Sequence, residues 1–347
     1  MQKTVLVTGS SGHLGSALMQ SLPSLGYDPI GLDTLPSPTT TVVGSVSDAT
    51  LLSSLFAHHT FHSVLHAATL HKPHVGSHSK TDFIDVNITG TTLLLEHASA
   101  AKCDSFVFTS STTTFGRALA PRPGAPAAWI DESVVPKPKN IYGVTKVCAE
   151  DVCELVHRQT GMPVIVLRTS RFFPEEDDAD ERRQAYDDHN LKVNELTYRR
   201  VDIADVVSAH VSAMNKASEV RWGKYIISSP PPFSKDEDTL RQLDSNAKEA
   251  IRLAVPLYEH IYAERGWRFL DRIDRVYDSN KAIRELGWSP IYTFQRALEQ
   301  IANGKEWRSD LTLQVGMKGY HPIPTGVYTT TTTTTTHYLT SQDGGAV

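Results

Sequence analysis

Tyr142-Gly143-Val144-Thr145-Lys146 sets a phenol and an ammonium four residues apart, which on a helix puts both on one face. A free tyrosine, with a pKa of about 10, is a poor base at neutral pH. An ammonium one turn away, with a positively charged cofactor ring nearby, would stabilise the phenolate. Lowering that pKa by roughly three units needs about 4 kcal/mol of differential interaction, attainable for a close charge in a sheltered cleft. Tyr142 would then take a proton from a secondary alcohol as hydride leaves its carbon. Ser111 closes the strand Phe106-Val107-Phe108 and its hydroxyl-rich end, Thr109 to Thr114, and would hydrogen-bond the same oxygen. A Tyr–Lys pair standing alone reads as a surface pair, so the chemistry depends on whether a hydride acceptor has a place.

That place is offered near the N-terminus. Val5-Leu6-Val7 is an apolar run without polar alternation, as in a strand covered on both faces. Gly9, Gly12 and Gly15 follow at intervals of three, and Leu14, Ala17, Leu18 and Leu22 then recur at helical spacing. Strand, glycine turn and helix open a βαβ unit whose first free N–H groups attract a pyrophosphate. Gly9 would allow the turn, Gly12 the approach of phosphates, and Gly15 close helix–strand packing, with Ser11, His13 and Leu14 beside them. Pro29-Ile30-Gly31-Leu32-Asp33 is a second strand ending in a carboxylate 18 positions past Gly15 (33 − 15). That is near the roughly 20 expected of the acid that holds the ribose hydroxyls. A carboxylate there repels a 2′-phosphate, so the cofactor expected is NAD rather than NADP.

The elements between these motifs alternate. Val42-Val43 is a short strand, and Asp48 would cap a helix over 49–57. Ser63 to Thr69 is a buried strand ending in the small residues Ala67, Ala68 and Thr69. Asn87 to Thr91 leads into a helix, residues 118–139 read as a surface loop, a helix spans about 144–157, and Val164 to Leu167 is a sixth strand. Alternation of this kind predicts an α/β protein with a doubly wound parallel sheet. Further on, acids crowd Glu175 to Asp188, read as a solvated loop. A helix is expected over 239–253, and short helices over 278–286 and 293–301.

The 347 residues are enough for one large domain or two sharing an interface, and 40% hydrophobic content is ordinary for a globular chain. A net charge of −5 gives no reason to expect nucleic acid, and no apolar run reaches the roughly 18–20 residues of a membrane span. Cys103, Cys148 and Cys153 suit reduced thiols in a cytoplasmic protein. His71-x-x-His74-x-x-x-His78 has passable metal spacing, but Pro73 interrupts it and few acids lie nearby, so no metal is expected. His66, in a strand, reads as a core histidine.

In order, Gly9-x-x-Gly12-x-x-Gly15, Asp33, His66-x-Ala68, Asn87, Ser110-Ser111 and Tyr142-x-x-x-Lys146 resemble the extended short-chain dehydrogenase/reductase family, epimerase/dehydratase branch. The resemblance runs over about residues 3–304 and includes Arg284-Glu285-Leu286-Gly287-Trp288-Ser289-Pro290. It implies an NAD-binding Rossmann domain, taken as 1–170. A small α/β C-terminal substrate-binding region would follow over 171–320, with some elements returning to the Rossmann core. It also implies catalysis by Ser111, Tyr142 and Lys146, with Ala67, Ala68, Thr69 and Asn87 near the cofactor, and a homodimer built through two helices per subunit. Residues 321–347, with the threonine run 329–336, read as a disordered tail.

Three departures from the family pattern bear on substrate. The third strand has Gly44-Ser45-Val46-Ser47-Asp48 where relatives carry Gly-Asp-x-x-Asp, leaving Asp48 as the adenine contact. Thr112 and Thr113 stand where sugar 4,6-dehydratases have an acid pair, which argues against dehydration. Arg171 stands where nucleotide-sugar enzymes have an asparagine, and a guanidinium there suits an anionic substrate, a carboxylate or phosphate; the other reading is a surface ion pair with the acids that follow. The stretch Phe173-Pro174-Glu175 with Arg182 also resembles uronate dehydrogenases. His71 falls in a loop that covers substrate in relatives. Arg199 and Arg200 lie where relatives grip a diphosphate, and Arg200 is taken as the contact. The function expected is hydride exchange between NAD and a secondary alcohol of a sugar or nucleotide-sugar. The alternatives are a dehydrogenase of a free sugar acid that releases NADH, and a non-catalytic NAD sensor.

Overall fold

The computed structural model describes residues 2–319 except 123 and 178, so the tail expected over 321–347 lies outside the described residues. Seven strands form the main sheet: β1 (Lys3–Thr8), β2 (Tyr27–Asp33), β3 (Val42–Val43), β4 (Ser63–His66) and β5 (Ser105–Ser111). Past β6 (Ala128–Ile130), which lies apart, β7 (Val164–Thr169) and β8 (Trp222–Ile227) complete it. All pairings are parallel, in the order β3-β2-β1-β4-β5-β7-β8. The order reverses between β1 and β4, and in open parallel sheets ligands bind at the carboxyl ends beside such a switch point.

Burial explains the strands. Every residue of β4, β5 and β7 is buried, as is Val5 to Thr8 of β1. One face packs Val5, Val7, Leu65, Val107 and Ile165 against Leu14, Leu18 and the helix Ile203–Val220. The other packs Leu6, Val64, Phe106 and Val166 against Leu94, Leu95, Ala149 and Cys153. Trp288 lies in the first of these cores, its indole N–H donating to the Asp205 carbonyl at 3.0 Å.

A separate core gathers Leu191, Leu196, Phe233, Ile251, Tyr262, Phe269, Phe294 and Leu298 from later helices. The single helix expected over 239–253 is two, Glu237–Ser245 and Ala247–Ala254, because Asn246 leaves the helical path and accepts from Glu249 N. The loop expected over 118–139 contains β6, which pairs with β9 (Arg275–Tyr277) and ties this region back. The acids after Pro174 are not all solvated: Glu175 is 1% exposed and Asp177 4%. No helix among the described residues is long and apolar enough to cross a membrane.

Candidate active site

One cleft of about 1440 Å³ opens at the carboxyl ends of the strands. Pockets for a single drug-sized ligand run to about 300–1,000 Å³, so this one has room for two molecules.

Its floor is the glycine turn. Gly9 has φ +70°, and a Cβ there would sit 2.7 Å from Ala68 N. A Cβ on Gly15 would overlap the Gly9 carbonyl. Gly12 is less crowded: a Cβ there would meet the Gly9 carbonyl at 3.3 Å, tight but without overlap. The space a Gly12 side chain would take is cleft, at the start of the helix His13–Ser21, which is the cradle a pyrophosphate needs. Asp33 accepts from Ser11 N and Leu35 N, both at 2.9 Å, which holds its carboxylate beside that turn. Ser11, His13, Leu14, Ala67, Ala68 and Thr69 line the same wall. These residues fit NAD. His66 braces them from behind, bonded to Thr8 at 2.7 Å and Thr91 at 2.9 Å, and burial pushes it down to about 3, so it is neutral.

Two expected cofactor contacts are corrected. Asp48 is exposed, caps the helix Ala49–His58 through Thr50 N and Leu51 N, and does not line the cleft; Ser45 and Val46 do. Asn87 is buried with its amide committed. Its Oδ1 accepts from Thr69 Oγ1 and Leu70 N, and its Nδ2 donates to Leu70 O and Thr145 Oγ1. It therefore braces the cofactor wall against the next helix rather than touching a ligand.

That helix, Ile141–Thr160, starts where the Asn140 side chain accepts from Gly143 N at 2.9 Å and stops at Gly161, φ +72°. Its buried face carries Tyr142 and Lys146 into the cleft beside Ser111 and Thr112. The electrostatics differ from the expectation. Burial pushes the Tyr142 phenol well above its usual 10, opposed only by a hydrogen bond from Ser111. Burial also brings Lys146 down to about 7. Its Nζ donates to the Thr109 carbonyl at 2.8 Å and lies 4.6 Å over the Phe108 ring. The lysine does not by itself lower the tyrosine, because the burial that would strengthen its field also disfavours its charge. Phenolate chemistry here requires a further positive charge brought by the ligands.

His71 lines the cleft with its ring 5.0 Å from that of Tyr142, and burial pushes it down to about 3. Among the described residues no three His, Cys, Asp or Glu side chains are grouped to hold a metal ion.

The far wall is cationic. Arg171 donates to Asp177 at 2.7 Å and lies 3.9 Å from Glu195; Arg199 reaches Asp177 at 3.1 Å and also pairs with Glu195. Arg171 and Arg199 both line the cleft. Arg200, expected as a substrate contact, does not line the cleft, whereas its neighbour Arg199 does. Arg199 lies in a turn and Arg200 in an isolated bridge to Arg171, and both guanidiniums meet Glu195. Arg200 is buried, bonded to Glu195 at 2.9 Å and to the Phe173 carbonyl at 3.0 Å. Sequence reasoning also missed Arg275 and Lys318, which line the cleft, and Glu175, which meets His13 at 2.7 Å.

A family model for the NAD dependent epimerase/dehydratase family matches residues 5–227. A UDP-glucose 4-epimerase of Yersinia pestis is 31% identical over 184 residues, 49% of this chain and 52% of that protein. One of Rhizobium meliloti (strain 1021) is 25% identical over 336 residues, 88% of this chain and 97% of that protein. Among solved structures, a short-chain dehydrogenase/reductase superfamily protein of Agrobacterium tumefaciens with bound NAD superposes with a TM-score of 0.61. It is 22% identical and covers 86% of this chain and 96% of its own. With the glycine turn, Asp33 and the Ser–Tyr–Lys set on one cleft, these matches place the chain in the NAD dependent epimerase/dehydratase family, as an enzyme that uses NAD.

Proposed function

We propose that this enzyme exchanges hydride with a secondary alcohol of a sugar or nucleotide-sugar that carries an anionic group, and that it returns the hydride to epimerise that carbon. The observation that carries the reading is that Tyr142, Ser111 and Lys146 line the cleft that also holds Gly12 and Asp33. NAD, when bound, supplies the hydride acceptor and a positively charged ring. Tyr142 takes the alcohol proton and gives it back, Ser111 orients the oxygen, and Lys146 holds positive charge beneath the phenol. Arg171 and Arg199 grip the anionic group. Thr112 and Thr113 offer no acid–base pair for eliminating water, so turnover stops at oxidation and reduction.

A second reading is favoured by the arginines alone: a dehydrogenase of a free sugar acid that releases NADH. Screening sugar nucleotides and sugar acids against the purified enzyme separates the two. Product epimer without net NADH supports the first, stoichiometric NADH the second, and neither with any hydroxy substrate sinks both. The enzyme is further proposed to act as a cytoplasmic homodimer. Val144 and Leu155, partly exposed and three turns apart on the helix Ile141–Thr160, are the apolar positions a second copy would cover. A monomer by light scattering would end that part.

A further inference from the structure

The end of the described chain crosses back over the cofactor side of the cleft. Val315, Met317, Lys318 and Gly319 line it together with Gly12, His13 and Asp33. Two anchors hold this strap. At its base, buried Asp202 accepts from Ser309 N at 3.0 Å, Ser309 Oγ at 2.5 Å and Thr312 Oγ1 at 3.1 Å, fixing the helix Asp310–Val315. Val315 packs into the core that holds Leu14 and Leu18. Gly316, at φ +62°, then turns the chain as few other residues can.

The second anchor lies at the cleft. Glu175 Oε1 accepts from Lys318 N and Gly319 N, each at 3.0 Å, and meets His13 Nε2 at 2.7 Å. His13 opens the helix after the glycine turn, so one buried carboxylate joins the strap to the cradle itself. With its backbone tied there, Lys318 lines the cleft. The acids that favour its charge are Asp33 and Glu175, and burial opposes it. Glu175 already serves His13 and two amides, and Asp33 already accepts two backbone N–H bonds, so neither carboxylate is dedicated to the lysine. A partly desolvated ammonium between a ribose-binding carboxylate and a phosphate cradle has a natural partner in a dinucleotide phosphate.

We propose that Lys318 is a cofactor-binding residue: the 315–319 strap carries its ammonium across the cleft to pair with the pyrophosphate of NAD and so holds the cofactor between turnovers. This rests on the cleft being the NAD site. The test is NAD affinity and dissociation rate in the full-length chain, with folding of each variant checked by its melting temperature without NAD. Lys318→Ala is expected to raise the Kd for NAD about tenfold, Lys318→Glu to raise it further, and Lys318→Arg to restore it. Glu175→Gln, which weakens the anchor and leaves the ammonium in place, is expected to speed NAD release. Asp33→Ala is the control. If it weakens NAD binding while Lys318→Ala and Lys318→Glu leave Kd within about twofold, the strap contact is overturned and the cleft assignment stands. If Asp33→Ala also leaves binding unchanged, the cleft assignment falls and the proposal with it.

Discussion

Glu150 and Glu195 are both fully buried, both on helices and both bonded to arginine, yet they do different things. Glu150 accepts from Ser110 at 2.6 Å and from Arg168 at 2.7 and 3.0 Å. Lys224, 3.6 Å away, is shared with Asp151 and Glu154. None of Glu150, Arg168 and Lys224 lines the cleft. Glu195 gathers Arg171, Arg182, Arg199 and Arg200, and Asp177 pairs with Arg171 and Arg199. Two of these arginines, Arg171 and Arg199, line the cavity. Burial and short distances do not distinguish structural ion pairs from a site; access of the charged groups to a cavity does.

The comparison can be broken in four ways, the largest first. Replacing either glutamate by glutamine strands buried guanidinium and should cost about 3–5 kcal/mol in denaturant unfolding. A loss below about 1 kcal/mol at Glu195 would mean that its arginines are already solvated. Arg171→Ala should raise KM for an acidic substrate about 10–100-fold, one charged hydrogen bond, while the Kd for NAD stays put. An unchanged KM would return Arg171 to the role of structural ion pair. The joint change Glu150→Met with Arg168→Leu should stay within about 2 kcal/mol of the native protein and leave KM alone, because a closed pair can be exchanged for apolar packing.

The smallest effect is in pH. Burial pushes His66 down to about 3 and His210 to about 4, whereas unfolded histidine titrates near 6.5. Below pH of about 6.5 the unfolded chain takes up protons that these native histidines refuse, so stability falls as pH drops from about 6.5 toward 4. Melting temperature followed against pH should show this slope, and His210→Gln should flatten it. A slope that His210→Gln leaves unchanged would assign it to other groups.

What the sequence revealed was local. The run Val5 to Val7, the three glycines and Asp33 sit within one βαβ unit, so spacing alone foretold that they meet at one turn. Tyr142 and Lys146 were legible because four residues on a helix is geometry. The misreadings share a cause, the three-dimensional partner. Asp48 is an acid at the right distance, but the same residue type caps helices, and that use prevailed. Asn87 lies against the cofactor wall, yet four hydrogen bonds consume it. Arg199 and Arg200 are adjacent and both reach Glu195, and only the fold decides that Arg199 lines the cleft while Arg200 does not. Glu175 and Asp177 were hidden in a run of acids whose composition suggests solvent. Lys318 is 285 positions from Asp33 (318 − 33), and no local pattern joins them.

The central claim is that the phenol of Tyr142 and the glycine turn serve one reaction in one cleft. The direct test is a single turnover of NAD-loaded enzyme with an active acidic sugar substrate, following reduced nicotinamide by absorbance, in the native protein and in Tyr142→Phe. The account predicts that the variant retains NAD and that its hydride transfer slows about 10²–10⁴-fold. Transfer at the native rate in Tyr142→Phe would contradict it.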